Sequence, residues 1–287
     1  MRKEFSQQVK LAMAQDSSIN VLLGDIGVGS FLDGDELLPN VYNLGINEQS
    51  MVSFGSGISD TGKIVLIHTI APFLVERAYE QIKLACGYNE IKLIFVSANG
   101  PFDYHKLGPT HHCPADIPIL SQIPNLKLFA PGNVEELGFS LKSALEMSSS
   151  SYIRLTNKVS EARTVSKSEF NQLLYPRSYS ARSSASQKAI IAIGESQKYV
   201  EDRQLYENYD IYSPKYISQN YELSVFNQYK ELLILEPYSS SVLGIENNHK
   251  IKVIRRNFGA ALSKTIVTNQ GWERFDDLFT KQAVNNQ

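Results

Sequence analysis

Three of the chain's five histidines, His105, His111 and His112, fall in one stretch, HKLGPTHHCPAD (105–116). Imidazoles titrate near neutral pH, so such a group suits general acid–base work or binding of a substrate oxygen. A polar loop with purely structural imidazoles is the plainer alternative, and the residues alone leave both open. No HxxxH or Cys/His spacing accompanies them, and Cys86 and Cys113 are the only cysteines, so neither a metal set nor a disulfide framework is expected. Glu48, in NLGINEQSMV (43–52), stands where a loop enters a helix beside Ile46 and Met51. A carboxylate there can simply favour the helix dipole. In a semi-apolar pocket it could instead become a proton partner through desolvation. His68 closes an apolar run and reads as a core or boundary histidine, whereas His249 lies among polar residues and reads as surface.

Alternating strand and helix patterns must position these residues. VLLGD (21–25) is a compact strand ending at Gly24 and Asp25, and IVLIHTI (64–70), KLIFVSA (92–98), LKLFAP (126–131) and SYIRLT (151–156) are further β runs. Helices are predicted over 3–15, 48–60, 72–87 and 136–147; the third opens at Pro72 and closes at Gly87. Such alternation implies an α/β fold with a mostly parallel sheet, whose active sites lie at the carboxyl ends of the strands. GDIGVGS (24–30) lacks the third glycine of a dinucleotide fingerprint and reads as a turn. The Ser-, Arg- and Lys-rich stretch 158–187 reads as a linker between a domain over 1–157 and a smaller α/β domain over 188–287.

Composition narrows the function. Lys plus Arg number 28 against 30 for Asp plus Glu, a net charge of −2, which offers no basic field for nucleic acid or a membrane surface. No apolar run is long enough to span a bilayer, and the amino terminus lacks a signal peptide's apolar core. A reducing cytoplasm is the expected location.

The order NLGINEQ, TIAPFLVERAYEQIK (69–83), GPTHH, ADIPILSQIPNLKLFAPGN (115–133) and SYIRL (151–155) resembles the pyrimidine-binding domain of transketolases and of the related 1-deoxyxylulose-5-phosphate synthases. The resemblance covers about residues 3–157, more weakly the rest as a transketolase C-terminal domain, and is nearest to the short C-terminal subunits of split transketolases. It implies a parallel-sheet pyrimidine-binding domain of the thiamine diphosphate-binding fold, followed by a smaller α/β transketolase C-terminal domain. It also implies that Glu48 hydrogen-bonds the aminopyrimidine ring of thiamine diphosphate and thereby activates the cofactor. Phe73 would stack on that ring, Ile70 would stand where many relatives have a second aromatic, and Asp25 would lie near the cofactor. His111 would be catalytic and contact substrate oxygens, with His112, His105 and Lys158 as further substrate-binding residues.

Departures from the family pattern are informative. Leu107 replaces an aspartate before GPTH, and Asn157 followed by Lys158 replaces an arginine that binds sugar phosphate. Asparagine does not reproduce an arginine's bidentate clamp. The Gly-Asp-Gly motif that holds Mg²⁺ and the diphosphate is absent from the sequence. The resemblance therefore implies a partner chain with the diphosphate-binding domain, which would ligand Mg²⁺, in an α2β2 heterotetramer acting on sugars by transfer of a two-carbon ketol unit. Rival expectations are a 2-oxo acid dehydrogenase β-type or deoxyxylulose phosphate synthase-type subunit, and a non-catalytic regulatory paralogue.

Overall fold

A computed structural model describes residues 1–161, 163–164, 174–178, 186–218, 226–245 and 252–257. Helix α1 (Arg2–Gln15) leads into β1 (Ile19–Leu23), a small hairpin of β2 (Leu32–Asp33) and β3 (Glu36–Leu37), and β4 (Val41–Asn43). Then come α2 (Glu48–Asp60), β5 (Ile64–Ile70), α3 (Tyr79–Ile82), β6 (Ile94–Ala98), α4 (Asp116–Leu120), β7 (Lys127–Phe129), α5 (Val134–Glu146) and β8 (Ser151–Arg154). The strands form a six-stranded sheet in the order β4-β1-β5-β6-β8-β7, with every pairing parallel.

Both faces of this sheet are covered, so its central strands are buried along nearly their whole length and mostly apolar. On one face Phe5 and Val9 of α1 and Leu137 and Leu141 of α5 pack on Val21, Leu23, Leu66, Ile94 and Ile153. On the other, Met51 and Val52 of α2 pack with Leu22, Ile67 and Phe95. His68 is buried as expected, its Nδ1 2.8 Å from the Val96 carbonyl oxygen.

The expected helix over 72–87 is not one regular helix. Residues 72–77 and 83–88 form wider π-type turns on either side of α3. Pro72 cannot donate a backbone hydrogen bond where this stretch begins, and π turns of this kind recur at functional sites.

A second sheet runs β14-β13-β11-β12-β10-β9, built from β9 (Arg163–Thr164), β10 (Leu174–Ser178), β11 (Lys188–Ala192), β12 (Asp210–Pro214), β13 (Glu231–Glu236) and β14 (Lys252–Asn257), with α6 (Ser196–Asp202). β11 to β14 are parallel, while β10 and β9 add an antiparallel margin. The stretch read as a linker thus supplies two strands of this sheet. His249 and most of the rest of that stretch lie outside the described residues.

One continuous core joins the two sheets. Leu128 and Tyr152 of the first belong to the same buried cluster as Ile191, Tyr212 and Ile234 of the second. Glu136 of α5 is buried at this junction, accepting from Gln197 Nε2 at 2.9 Å and from Ser213 Oγ.

Candidate active site

The strand order of the first sheet places a site before any side chain is considered. From β1 the chain passes to β4 on one side and to β5 on the other, so β1 and β5 diverge at a topological switch point. Ligands of open α/β sheets bind at the carboxyl ends of strands at such a point. Gly24 and Asp25 follow β1 here, and Thr69 and Ile70 end β5.

Glu48 reaches this crevice from the first residue of α2. Its side chain is 1% exposed, and its carboxylate accepts from Thr69 Oγ1 at 3.3 Å and from an Arg77 guanidinium nitrogen at 2.7 Å. The helix amino terminus adds favourable partial charge. Arg77 is 42% exposed, so the pair is open on one side. Beside it, a side chain at residue 24 would begin 2.9 Å from Thr69 Oγ1 and 3.3 Å from Met51 Sδ. Glycine at 24 therefore lets Thr69 and Met51 pack directly against this strand end, beside the buried Glu48 carboxylate.

Phe73 flanks Glu48. It lies in the π-type turn after Pro72, half-buried, with the Arg77 guanidinium 4.4 Å from its ring centre. His111 meets the Phe73 ring edge-on at 5.3 Å and the Tyr104 ring at 5.9 Å, and its Nδ1 is 2.9 Å from Thr110 Oγ1. Glu48, Phe73 and His111, far apart in sequence, are thus linked through Arg77 and ring contacts.

The other expected site residues have different surroundings. Asp25 is exposed in a left-handed conformation, bonded through its backbone N–H and carboxylate to Asn43. Ile70 is buried at the end of β5. His112 turns inward, 3% exposed and edge-on to Phe102 at 5.1 Å. The His105 side chain lies outside the described residues, although its backbone belongs to a short 3₁₀ turn, 105–107.

Lys158 departs most from expectation. Its ammonium is buried between Glu195, at 3.1 Å, and Asp103, at 3.9 Å, and so is already neutralised rather than offered to a substrate phosphate. Burial pushes the Glu195 carboxyl above the usual range, and Lys158 pulls it back. A second buried pair lies beneath the histidine segment. Arg154, last in β8, donates to Asp116, to the Cys113 carbonyl at 3.1 Å and to the Asn99 carbonyl at 2.6 Å. Asp116 also accepts from the Tyr152 hydroxyl.

Sequence reasoning missed Thr69, Arg77 and Asn43. A threonine breaking the apolar pattern near the end of IVLIHTI, and an arginine four residues after Phe73, were the available signals. Among the described residues no group of three or more His, Cys, Asp or Glu side chains could hold a metal ion, and no helix is long and apolar enough to cross a membrane.

Known proteins agree with this architecture. Residues 1–160 match the family described as transketolase, pyrimidine binding domain. A 33.6 kDa uncharacterized protein of the fasciation locus of Rhodococcoides fascians is 33% identical over 54% of this chain and 50% of its own length. An apulose-4-phosphate transketolase subunit of Actinobacillus succinogenes is 33% identical over 43% of this chain and 40% of its own. The matched stretch therefore spans half or less of these relatives. Among solved structures, a split-gene transketolase described as an inactive β4 tetramer superposes with a TM-score of 0.70 at 16% identity, covering 96% of this chain and 92% of that one. The transketolase of Campylobacter jejuni gives 0.70 at 14% identity over 97% of this chain and 46% of its own, a likeness of fold alone. With its parallel sheet and more than half its length matched, the chain belongs to the transketolase pyrimidine-binding domain family.

Proposed function

We propose that this chain is one subunit of a thiamine diphosphate-dependent, transketolase-like enzyme that transfers a two-carbon ketol unit between sugars. The observation that carries the reading is Glu48, a buried carboxylate at the β1/β5 switch point, joined through Arg77 to the Phe73 ring and through that ring to His111. The residues fit the cofactor's pyrimidine half: the buried Glu48 carboxylate is an acceptor for a ring N–H, and the half-buried Phe73 offers an aromatic face. When bound, thiamine diphosphate supplies a carbon nucleophile and an electron sink.

Each residue then has a task. Glu48 holds a proton on the pyrimidine ring, in a position that excludes water from the carboxyl group. Phe73 orients that ring. His111, with Nδ1 near Thr110 Oγ1, binds a sugar oxygen and moves its proton. Lys158 is spent on Glu195 and Asp103, and Asn157 cannot form an arginine-type clamp, so this strand end does not grip a sugar phosphate. Mg²⁺ and the diphosphate belong to a partner chain, and the assembly is an α2β2 heterotetramer in the cytoplasm.

A deoxyxylulose phosphate synthase-type subunit is the second reading. The 1-deoxy-D-xylulose-5-phosphate synthase of Rhodopirellula baltica, 31% identical over 50% of this chain, favours it. Co-purification of the chain with its native partner, followed by turnover with ketose donors and with pyruvate, separates the two. Ketose-dependent turnover that falls about a hundredfold or more in Glu48→Gln is expected, as for loss of a proton-holding group. Unchanged turnover in that variant would remove Glu48 from catalysis and leave a non-catalytic paralogue.

A further inference from the structure

The histidine segment is held by the second sheet as well as by its own. Phe102 is completely buried, and the cluster that buries it consists of Ile190, Ala192, Tyr199, Val200, Ile211, Leu233 and Leu235, all from the second sheet and α6. Two residues earlier, Gly100 admits an acid from the same unit: a Cβ at 100 would sit 2.0 Å from Glu195 Oε2. Asp103 closes this end, accepting the Gly100 N–H at 2.6 Å and the Asn157 N–H at 2.7 Å, and Lys158 joins it to Glu195. At the far end, the Ser239 N–H, beyond β13, donates to the Pro114 carbonyl at 2.8 Å. Buried polar networks of this kind specify one conformation when every member is satisfied.

We propose that the second α/β unit is a positioning platform for the histidine segment 100–114, and that Glu195 is the positioning residue through which it acts on His111. The bracing follows from the contacts; its catalytic meaning rests on the proposed role of His111. An aspartate at 195 would be too short to reach both Lys158 and the space above Gly100, and glutamine would keep the shape but lose the charge that holds Lys158.

The test uses the full chain, by hydrogen–deuterium exchange and by NMR of the His111 imidazole. In Glu195→Gln, with a cooperative melt retained, amide exchange across 100–112 should rise about tenfold over wild type, as for a locally loosened segment. The His111 ring signals should shift while those of His68 stay fixed. Gly100→Ala, whose methyl would strike Glu195, should disturb the same signals, and less so when 195 is also alanine, because contacting residues are not additive. Unchanged exchange and ring signals in Glu195→Gln, or strictly additive effects of the 100 and 195 substitutions, would overturn the proposal. These readouts need no partner chain. A complex that turns over no sugar would therefore sink the functional reading and leave the bracing result standing.

Discussion

Two arginine–carboxylate pairs in this molecule are built for opposite ends. Arg154 and Asp116 are sealed, with side chains 3% and 0% exposed, and the guanidinium also holds the carbonyls of Asn99 and Cys113. Those two carbonyls bracket the histidine segment, so the pair fixes backbone. Glu48 is as buried as Asp116, yet its partner Arg77 is 42% exposed and holds that carboxylate while lying over the Phe73 ring. Solvent reaches Arg77, and the proposed role of Glu48 requires a ligand arriving from that side to displace it. A sealed pair specifies structure; a half-open pair keeps a buried carboxylate ready for a new partner.

Breaking the sealed pair should have the largest effect. Asp116→Ala leaves the Arg154 charge buried with only carbonyls for company, and removal of one partner from a buried pair typically costs about 3–5 kcal/mol. Urea denaturation of the full chain measures it. A loss under about 1 kcal/mol would mean that water reaches Arg154, as at surface pairs, and that the two sites do not differ in kind.

The contrast also marks what the sequence could disclose. Helix 48–60 and strand 64–70 occur with the expected bounds, because a turn signal or a continuous apolar run marks both ends. Glu48 was legible through the family motif that GINEQ matches, whereas its small and apolar neighbours alone fit an ordinary helix-dipole carboxylate as well. The pairs Arg154–Asp116 and Lys158–Glu195 were not: they join residues distant in the chain, and nothing local shows that a lysine after a strand is buried. Residues 163–164 and 174–178 read as linker because Arg163, Pro176 and Arg177 interrupt any apolar alternation. The π-type turns over 72–88 escaped notice because apolar spacing does not separate them from an ordinary helix.

His68 sharpens the comparison from the other face of the sheet, where a titratable group is buried without a carboxylate partner. Burial holds its imidazole down to about 4 from the ordinary 6.5, against the opposing bond to the Val96 carbonyl. The unfolded chain therefore takes up this proton first as pH falls. The stability from His68 is complete above about pH 6.5 and is lost progressively down to about pH 4. Between pH 7 and 5 the loss should be about 2 kcal/mol, and His68→Gln should remove that part of the pH dependence. Melting both proteins at the two pH values decides it. Equal slopes would show that His68 is hydrated or finds an anionic partner.

Arg77→Ala should have the smallest effect on stability and says most about the half-open pair. The substitution removes a guanidinium that is partly in water, lets solvent reach Glu48, and leaves Thr69 and the helix amino terminus as its support. The expected loss is about 1 kcal/mol, nearer to a surface pair than to a buried one. In the assembled complex, thiamine diphosphate should bind at least as tightly to Arg77→Ala as to wild type, because no competitor for the Glu48 carboxylate or the Phe73 face has to be moved. Calorimetric titration gives that affinity directly. A stability loss as large as that of Asp116→Ala would make Glu48 another sealed structural carboxylate, with its arginine an obligatory partner. Weaker cofactor binding with little loss of stability would instead make Arg77 part of the binding site, stacked beside Phe73 rather than displaced from it.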